Sequence, residues 1–277
     1  MDLASEIERN VASALAEDLG SGDATAPLTP ASKPARAHVL CRQEAVLCGQ
    51  PWFDACFRRL DARTTVSWLV AEGAKVGPGN RVCEIHGEAR ALLAAERTAL
   101  NFLQTLSAVA TVTRRYVGAA AGTRAKIVDT RKTLPGLRFA QKYAVRTGGG
   151  GNHRMGLYDA MLIKENHIAA AGGIESAMAT ARKNAASGVW IQIEVENLSQ
   201  LKKALDAGAP LILLDNMSLD QMREAVKIAG DRAELEASGG ITLENVRAVA
   251  ETGVHRISIG GLTKDVKAVD FSMRFES

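Results

Sequence analysis

Aromatic side chains are scarce, only 4% of 277 residues. That scarcity argues against a single-strand nucleic-acid binder, which needs stacking platforms along a basic groove. Charge of one sign is scarce too: the formal net charge is +3, so no broad cationic surface for nucleic acid is expected, and small anions are better-matched partners. Cysteine occurs four times, at Cys41, Cys48, Cys56 and Cys83, with no CxxC pair and no nearby His at zinc-ligand spacing. Buried or half-buried thiols in a reducing cytosol are therefore expected, rather than a zinc site or a disulfide framework. Long apolar runs are missing: nothing approaches the roughly 18 residues of a membrane span. The opening MDLASEIERN carries acids where a secretory leader needs an apolar segment. The expectation is a soluble, cytoplasmic protein with no membrane partner.

What the chain has is apolar content, 47% of it, enough for a sizeable core. Leu3, Ile7, Val11 and Leu15 recur every four residues and predict an amphipathic helix ending near Gly20. A turn-rich stretch, SGDATAPLTPASKP, follows. Short β-like runs come next at 35–42, 64–71 and 81–87, and from Ala89 to about Ala121 the pattern is helical. Residues 1–107 read as an α+β domain, with the C-terminal residues 268–277 as candidates to join it. Over 108–267 the texture changes to apolar strands that each finish on a polar residue, alternating with amphipathic helices. The runs are KIVDT (126–130), DAMLIK (159–164), IQIEVE (191–196), LILLD (211–215), AELEAS (233–238) and HRISIG (255–260). Such alternation predicts a parallel sheet covered by helices, and a unit count short of eight predicts an incomplete, open β/α barrel. The fold class is thus α/β, an α+β domain followed by an open barrel.

In barrels the chemistry sits at the C-terminal ends of the strands. Read in order, those ends carry Asp129-Thr130-Arg131-Lys132, Lys164, Glu194, Asp215, Ser238-Gly239-Gly240 and Gly260-Gly261. A single Lys or Asp at a strand end is usually a solvated loop residue, but chance would scatter charges over both ends. Arg131, Lys132, His153, Arg154 and Lys164 sit beside strand ends or in the run GGGGNHR, where no helix face explains them. Arg138 and Lys142 fit solvated helix charges better. Cations gathered without an anion would repel one another, so a multiply charged, phosphorylated ligand is expected. The paired glycines after the last two strands suit a phosphate cradle, because glycine lets backbone N–H groups approach the oxygens. SGGIT followed by a helical TLENVRAV fits that reading. Glu194 and Asp215 are candidates for Mg²⁺ held through carboxylates plus substrate phosphates, for sugar hydroxyls, or for ion pairs with the cations.

The strings ERTALNFLQTLSAVAT (96–111), DTRKTLPGLRFAQKYAVRTGGGGNHRMGLYDAMLIKENHI (129–168), IEVEN (193–197), LLDNMS (213–218) and LEASGGIT (235–242) together closely resemble the quinolinate phosphoribosyltransferase family. The likeness runs nearly end to end from AEDLGSGDAT onward. It implies an N-terminal α+β sandwich domain followed by an incomplete (open) parallel β/α barrel, and a homodimeric or higher cytosolic enzyme of NAD biosynthesis, a decarboxylating pentosyltransferase. Its reaction would join quinolinate to 5-phosphoribosyl 1-diphosphate with Mg²⁺, giving nicotinate mononucleotide, diphosphate and carbon dioxide. Carried over residue by residue, the family's substrate contacts fall on Arg97, Thr130, Arg131, Lys132, His153, Arg154 and Lys164, with Glu194 and Asp215 by the sugar and metal. Ser238, Gly239, Gly240, Ile259, Gly260 and Gly261 would hold the phosphate. The catalytic set would be Lys132, Lys164, Glu194 and Asp215, and Arg97 would reach the partner subunit's pocket. Gln192 stands where the family often has an acid, and Gly261 where it often has another small residue; neither departure touches an expected core role. The molybdenum-transport accessory proteins share the fold and many strand-end residues, which leaves another acceptor base open, and a non-enzymatic anion-sensing barrel is a second rival.

Overall fold

The computed structural model describes residues 2–276. They fall into two compact units: the chain up to Arg114 with Thr133–Gly149 and the stretch from Thr263 onward, and a second unit of Arg115–Lys132 with Gly150–Leu262.

The first unit opens with helix α1 (Leu3–Leu19), whose Asp2 carboxylate accepts the Ser5 N–H at 2.9 Å and so caps the N-terminus. Its Ile7, Val11 and Leu15 are buried, as the four-residue stripe predicts. Strands β1 (Pro34–Cys41) and β2 (Ala45–Val46), helix α2 (Gln50–Leu60), and strands β3 (Thr65–Trp68), β4 (Lys75–Val76) and β5 (Arg81–Glu88) follow. The 31-residue helix α3 (Ala89–Ala119) comes next and carries the unit boundary at Arg114. Helix α2 has no counterpart among the sequence-based expectations. Gly49, where φ is +114°, caps it, and Pro51 sits in its first turn, where a missing N–H does no harm. The C-terminal strand β12 (Phe271–Phe275) lies antiparallel to β1, giving the sheet order β12-β1-β5-β3; β2 and β4 form a separate pair. All four cysteines are free and buried here.

The stretch Thr133–Gly149 belongs with this first unit rather than with the barrel segment to which its position in the chain assigned it. The Asn10 amide donates to the Gly136 carbonyl at 3.1 Å, Trp52 meets Tyr143 edge-on at 5.2 Å, and Arg114 Nε donates to the Gly148 carbonyl at 2.8 Å. A Cβ at Gly148 would stand 2.6 Å from the Ala110 carbonyl oxygen, so only glycine permits this approach.

In the second unit strand β6 (Lys126–Val128) is separated from the rest by helix α4 (Arg138–Thr147) of the first unit. Then come β7 (Ala160–Ile163), α5 (Glu165–Ala171), α6 (Ile174–Asn184), β8 (Trp190–Val195), α7 (Leu198–Asp206), β9 (Leu211–Asp215), α8 (Leu219–Ala229), β10 (Glu234–Ser238), α9 (Val246–Ala250) and β11 (Arg256–Ser258). Helix α10 (Gly261–Lys264) begins at the end of this unit, and β12 belongs to the first. The six parallel strands pair in the order β6-β11-β10-β9-β8-β7. β6 and β7 remain edges, so the α/β barrel is open as expected. One expectation is corrected: α9 begins at Val246, not at Thr242. Asn245 holds the intervening turn out of the helix, its Oδ1 accepting the Thr242 N–H at 2.9 Å and its Nδ2 donating to the Gly240 carbonyl at 2.8 Å.

Candidate active site

Strand direction places the C-terminal ends of β6 to β11 on one rim, and the polar residues gather there. Asp129, fully buried just past β6, accepts the Asn152 amide at 2.6 Å and the His153 N–H at 2.9 Å. Gly151 bridges Val128 on the other side. The glycine run is thereby stapled to the end of β6, and His153 and Arg154 are carried inward, to 8% and 7% exposure. The Arg154 Nη1 donates to the Ala160 carbonyl at 3.2 Å. Burial, and after it the neighbouring charge of Arg131, holds this guanidinium below its ordinary pKa, with Asp159 opposing. Burial beside a like charge disfavours the ionised form of Arg154, and a bound anion would favour it.

Arg131, Arg154 and Lys164 all line one cavity of about 570 Å³, together with Leu157, Met161 and His167. That volume suits a small organic ligand. The Lys164 ammonium lies 3.4 Å from Glu194, and its main-chain N–H donates to His167 Nδ1 at 3.0 Å, which orients the turn into α5. Charge complementary to an anion is thus set on the wall, with a carboxylate beside it.

Farther along the rim Asp215 and Ser238 are register partners at the ends of β9 and β10. The backbone after Ser238 turns through Gly239 (φ +97°) and Gly240 (φ +61°), and a Cβ at Gly239 would collide with the Asn216 side chain. After β11, the Ile259 N–H donates to the Val128 carbonyl at 3.0 Å. At Gly260 a Cβ would approach the Lys132 Cδ to 2.9 Å, so Lys132 runs closely over this backbone, while its own N–H donates to Thr130 Oγ at 3.0 Å. Gly261 opens α10.

Most of the sequence-derived set therefore shares one rim: Thr130, Arg131, Lys132, His153, Arg154, Lys164, Glu194, Asp215, Ser238, Gly239, Gly240, Ile259, Gly260 and Gly261 all belong to the second unit. Arg97 does not; it stands on an exposed face of α3 in the first unit. Lys142 is corrected from a solvated helix charge to a buried residue of α4, 1% exposed. The His153 ring is engaged within the protein: Nδ1 accepts the Arg154 N–H and Nε2 meets Gln192 Oε1, both at 2.8 Å. Sequence reasoning missed Glu236 and the part of Asp129 as a loop anchor, and it gave no role to Gln192, which the structure sets between His153 and Glu236. Gln192 and Glu236 lie two residues before Glu194 and Ser238 on their strands, and the period of two puts each pair on one face.

For a metal, the chain offers oxygen donors at Glu194 and Asp215. Among the described residues no group of three or more His, Cys, Asp or Glu side chains could hold an ion. Two hard carboxylates without a full cage match Mg²⁺ that arrives on phosphate oxygens.

Comparison with known proteins shows the family. Residues 109–274 match the family described as quinolinate phosphoribosyl transferase, C-terminal domain, and residues 23–107 match its N-terminal domain. The chain is 43% identical to a probable nicotinate-nucleotide pyrophosphorylase (carboxylating) of Bacillus subtilis, over 93% of this chain and 89% of that one. It is 37% identical to a mitochondrial quinolinate phosphoribosyltransferase (decarboxylating) of Nicotiana tabacum, over 95% and 80%. The solved structure of the nicotinate-nucleotide pyrophosphorylase from Francisella tularensis superposes with a TM-score of 0.96 at 43% identity, covering 100% of this chain and 98% of that one.

Proposed function

The chain belongs to the quinolinate phosphoribosyltransferase family, and from that premise we infer that its barrel rim joins quinolinate to 5-phosphoribosyl 1-diphosphate. The products are nicotinate mononucleotide, diphosphate and carbon dioxide, which makes the protein a decarboxylating pentosyltransferase of NAD biosynthesis. The observation that carries this reading is the convergence of Arg131, Arg154 and Lys164 on one cavity.

Those three cations grip the two carboxylates of quinolinate and aim its ring nitrogen at the anomeric carbon, with His153 behind them shaping the loop. Fixing two reactants in an attack geometry removes much of the entropic barrier. As the bond from the anomeric carbon to diphosphate breaks, positive charge grows on the ribose, and Glu194 and Asp215 lie on the rim to stabilise it. Lys132 takes up charge on the leaving diphosphate. Ser238, Gly239, Gly240, Ile259, Gly260 and Gly261, with Thr130 beside them, hold the 5-phosphate through backbone N–H groups and short side chains. Mg²⁺, bound through Glu194 and Asp215 together with phosphate oxygens, would supply further neutralisation of the leaving group. Once the ring nitrogen is cationic, the bond to the adjacent carboxylate breaks with its electron pair left on the ring carbon, and that carbon then takes a proton.

Two copies of the chain form the working unit, with Arg97 completing the partner subunit's cavity. The exposed position of Arg97, and the exposure of Leu157 and Tyr158 near the cavity wall, support this. A reducing cytosol suits the four free thiols; no helix among the described residues is long and apolar enough to cross a membrane. A coupled diphosphate-release assay tests the activity. Release with quinolinate and Mg²⁺, and far less with nicotinate or with no acceptor, is expected; equal release in all three would overturn the assignment.

A further inference from the structure

We propose that Glu236 and Gln192 are positioning residues that hold His153 as its Nε2–H tautomer and so fix the Arg154 side of the carboxylate clamp; this rests on the clamp described above. The main-chain N–H of Arg154 donates to His153 Nδ1 at 2.8 Å, so Nδ1 is an acceptor and the ring proton sits on Nε2. Nε2 faces Gln192 Oε1 at 2.8 Å. With its oxygen toward the ring, the Gln192 amide turns its nitrogen to Glu236, where Nε2 donates to Oε2 at 3.1 Å.

The direction of this chain is set from its inner end. A carboxylate only accepts, so a flipped amide would press oxygen against oxygen at Glu236 and N–H against N–H at the ring. Gln192 and Glu236 are both fully buried, and water cannot readily repair either mismatch. The other Glu236 oxygen, Oε1, has no hydrogen-bond partner and lies 3.6 Å from His153 Nε2. A buried carboxylate so incompletely bonded is a poor device for stability. It is well placed as an orienting charge, keeping the ring proton on the inner nitrogen. Moving that proton to Nδ1 would aim it at the Arg154 N–H and displace the residue whose guanidinium lines the cavity beside Arg131. Trp190, edge-on to the imidazole at 5.0 Å, closes a flank of the ring.

The test uses the full-length active enzyme labelled with ¹⁵N-histidine. Long-range ¹H–¹⁵N correlation reads each ring's tautomer, and the chain has five histidines, so the His153 signal is assigned by its loss in His153→Gln. Wild type should show His153 protonated at Nε2. Gln192→Met and Glu236→Leu should move it toward a mixed or Nδ1–H form and raise the quinolinate KM about tenfold or more, the factor that corresponds to losing one such contact. The KM for 5-phosphoribosyl 1-diphosphate should change less than about twofold on the same ground, since no group at the phosphate end is altered. Glu236→Gln keeps the shape but loses the charge and can donate as well as accept, so it should shift both readouts in the same direction by less than Glu236→Leu. An active wild type with His153 protonated at Nδ1 overturns the proposal, and so do folded variants that keep the wild-type tautomer and quinolinate KM. Should the leucine and methionine variants fail to fold, the wild-type spectrum and Glu236→Gln still decide. Failure of the functional reading is separate: it is a wild type inactive with quinolinate, whatever its tautomer.

Discussion

Replacing Arg154 by Met should separate stability from function, because the guanidinium is poorly placed without a ligand and well placed with one. Methionine is unbranched and fills nearly the same path. The substitution removes one hydrogen bond, Nη1 to the Ala160 carbonyl at 3.2 Å, a loss of about 1 kcal/mol. It also removes a cation that is 7% exposed and sits against the charge of Arg131. These effects oppose each other, so the Tm should stay within about 2 °C of wild type, the shift that roughly 1 kcal/mol produces in a chain of this size. Binding has no such offset. A charge-assisted hydrogen bond to a carboxylate is worth roughly 1.5–3 kcal/mol, which predicts a quinolinate KM raised about 10- to 150-fold. Linkage gives a second reading: quinolinate at 100 times its Kd stabilises wild type by about 2.7 kcal/mol. At the same concentration a variant binding 50-fold more weakly gains only about 0.6 kcal/mol. Thermal denaturation with and without quinolinate, together with steady-state diphosphate release, measures both. A variant that loses many degrees of Tm yet keeps its quinolinate KM would refute the clamp and make Arg154 a structural residue.

Lys164→Ala removes the ammonium beside Glu194 and should abolish turnover or raise the quinolinate KM; wild-type kinetics in a steady-state assay would contradict its role. Gly239→Ala places a side chain at φ +97° and against Asn216, a strain of roughly 1–3 kcal/mol before the clash; it should raise the KM for 5-phosphoribosyl 1-diphosphate more than that for quinolinate, and equal effects would count against a phosphate cradle. Burial pushes the Cys56 thiol up to about 12 and raises Cys83 and Cys48 as well. The folded state therefore keeps protons that the unfolded chain loses near pH 8.5. Their contribution to stability is complete below that pH and disappears as pH climbs toward 12. Urea midpoints should hold to about pH 8 and fall above about pH 9, and a constant midpoint through pH 11 would show the thiols to be hydrated.

Apolar continuity made the barrel legible. LILLD reads as a buried parallel strand, and β9 occupies those same residues, Leu211–Asp215. Because side chains at the ends of parallel strands share one rim, the sequence alone puts Arg131, Lys164, Glu194 and Asp215 together. Helix α2 was less legible: Trp52, Phe53, Cys56 and Phe57 bury one face, but Pro51 and the bulky aromatics mask helical propensity in a short window. Charge alone suggests a solvated Lys142, whereas tertiary packing carries that turn of α4 inward. The contacts of Gln192 and Glu236 were hidden for a different reason. Attention to strand ends passes over the layer beneath, where a polar residue in an apolar strand is held by partners from other strands, and those partners are fixed only by register.

That Arg131, Arg154 and Lys164 together hold two carboxylates is tested most directly by calorimetric titration of the wild-type protein with quinolinate and, separately, with nicotinate. One additional carboxylate gripped by fixed cations should make quinolinate bind at least about tenfold more tightly. Equal affinities for the two acids would mean that the cavity does not grip the second carboxylate.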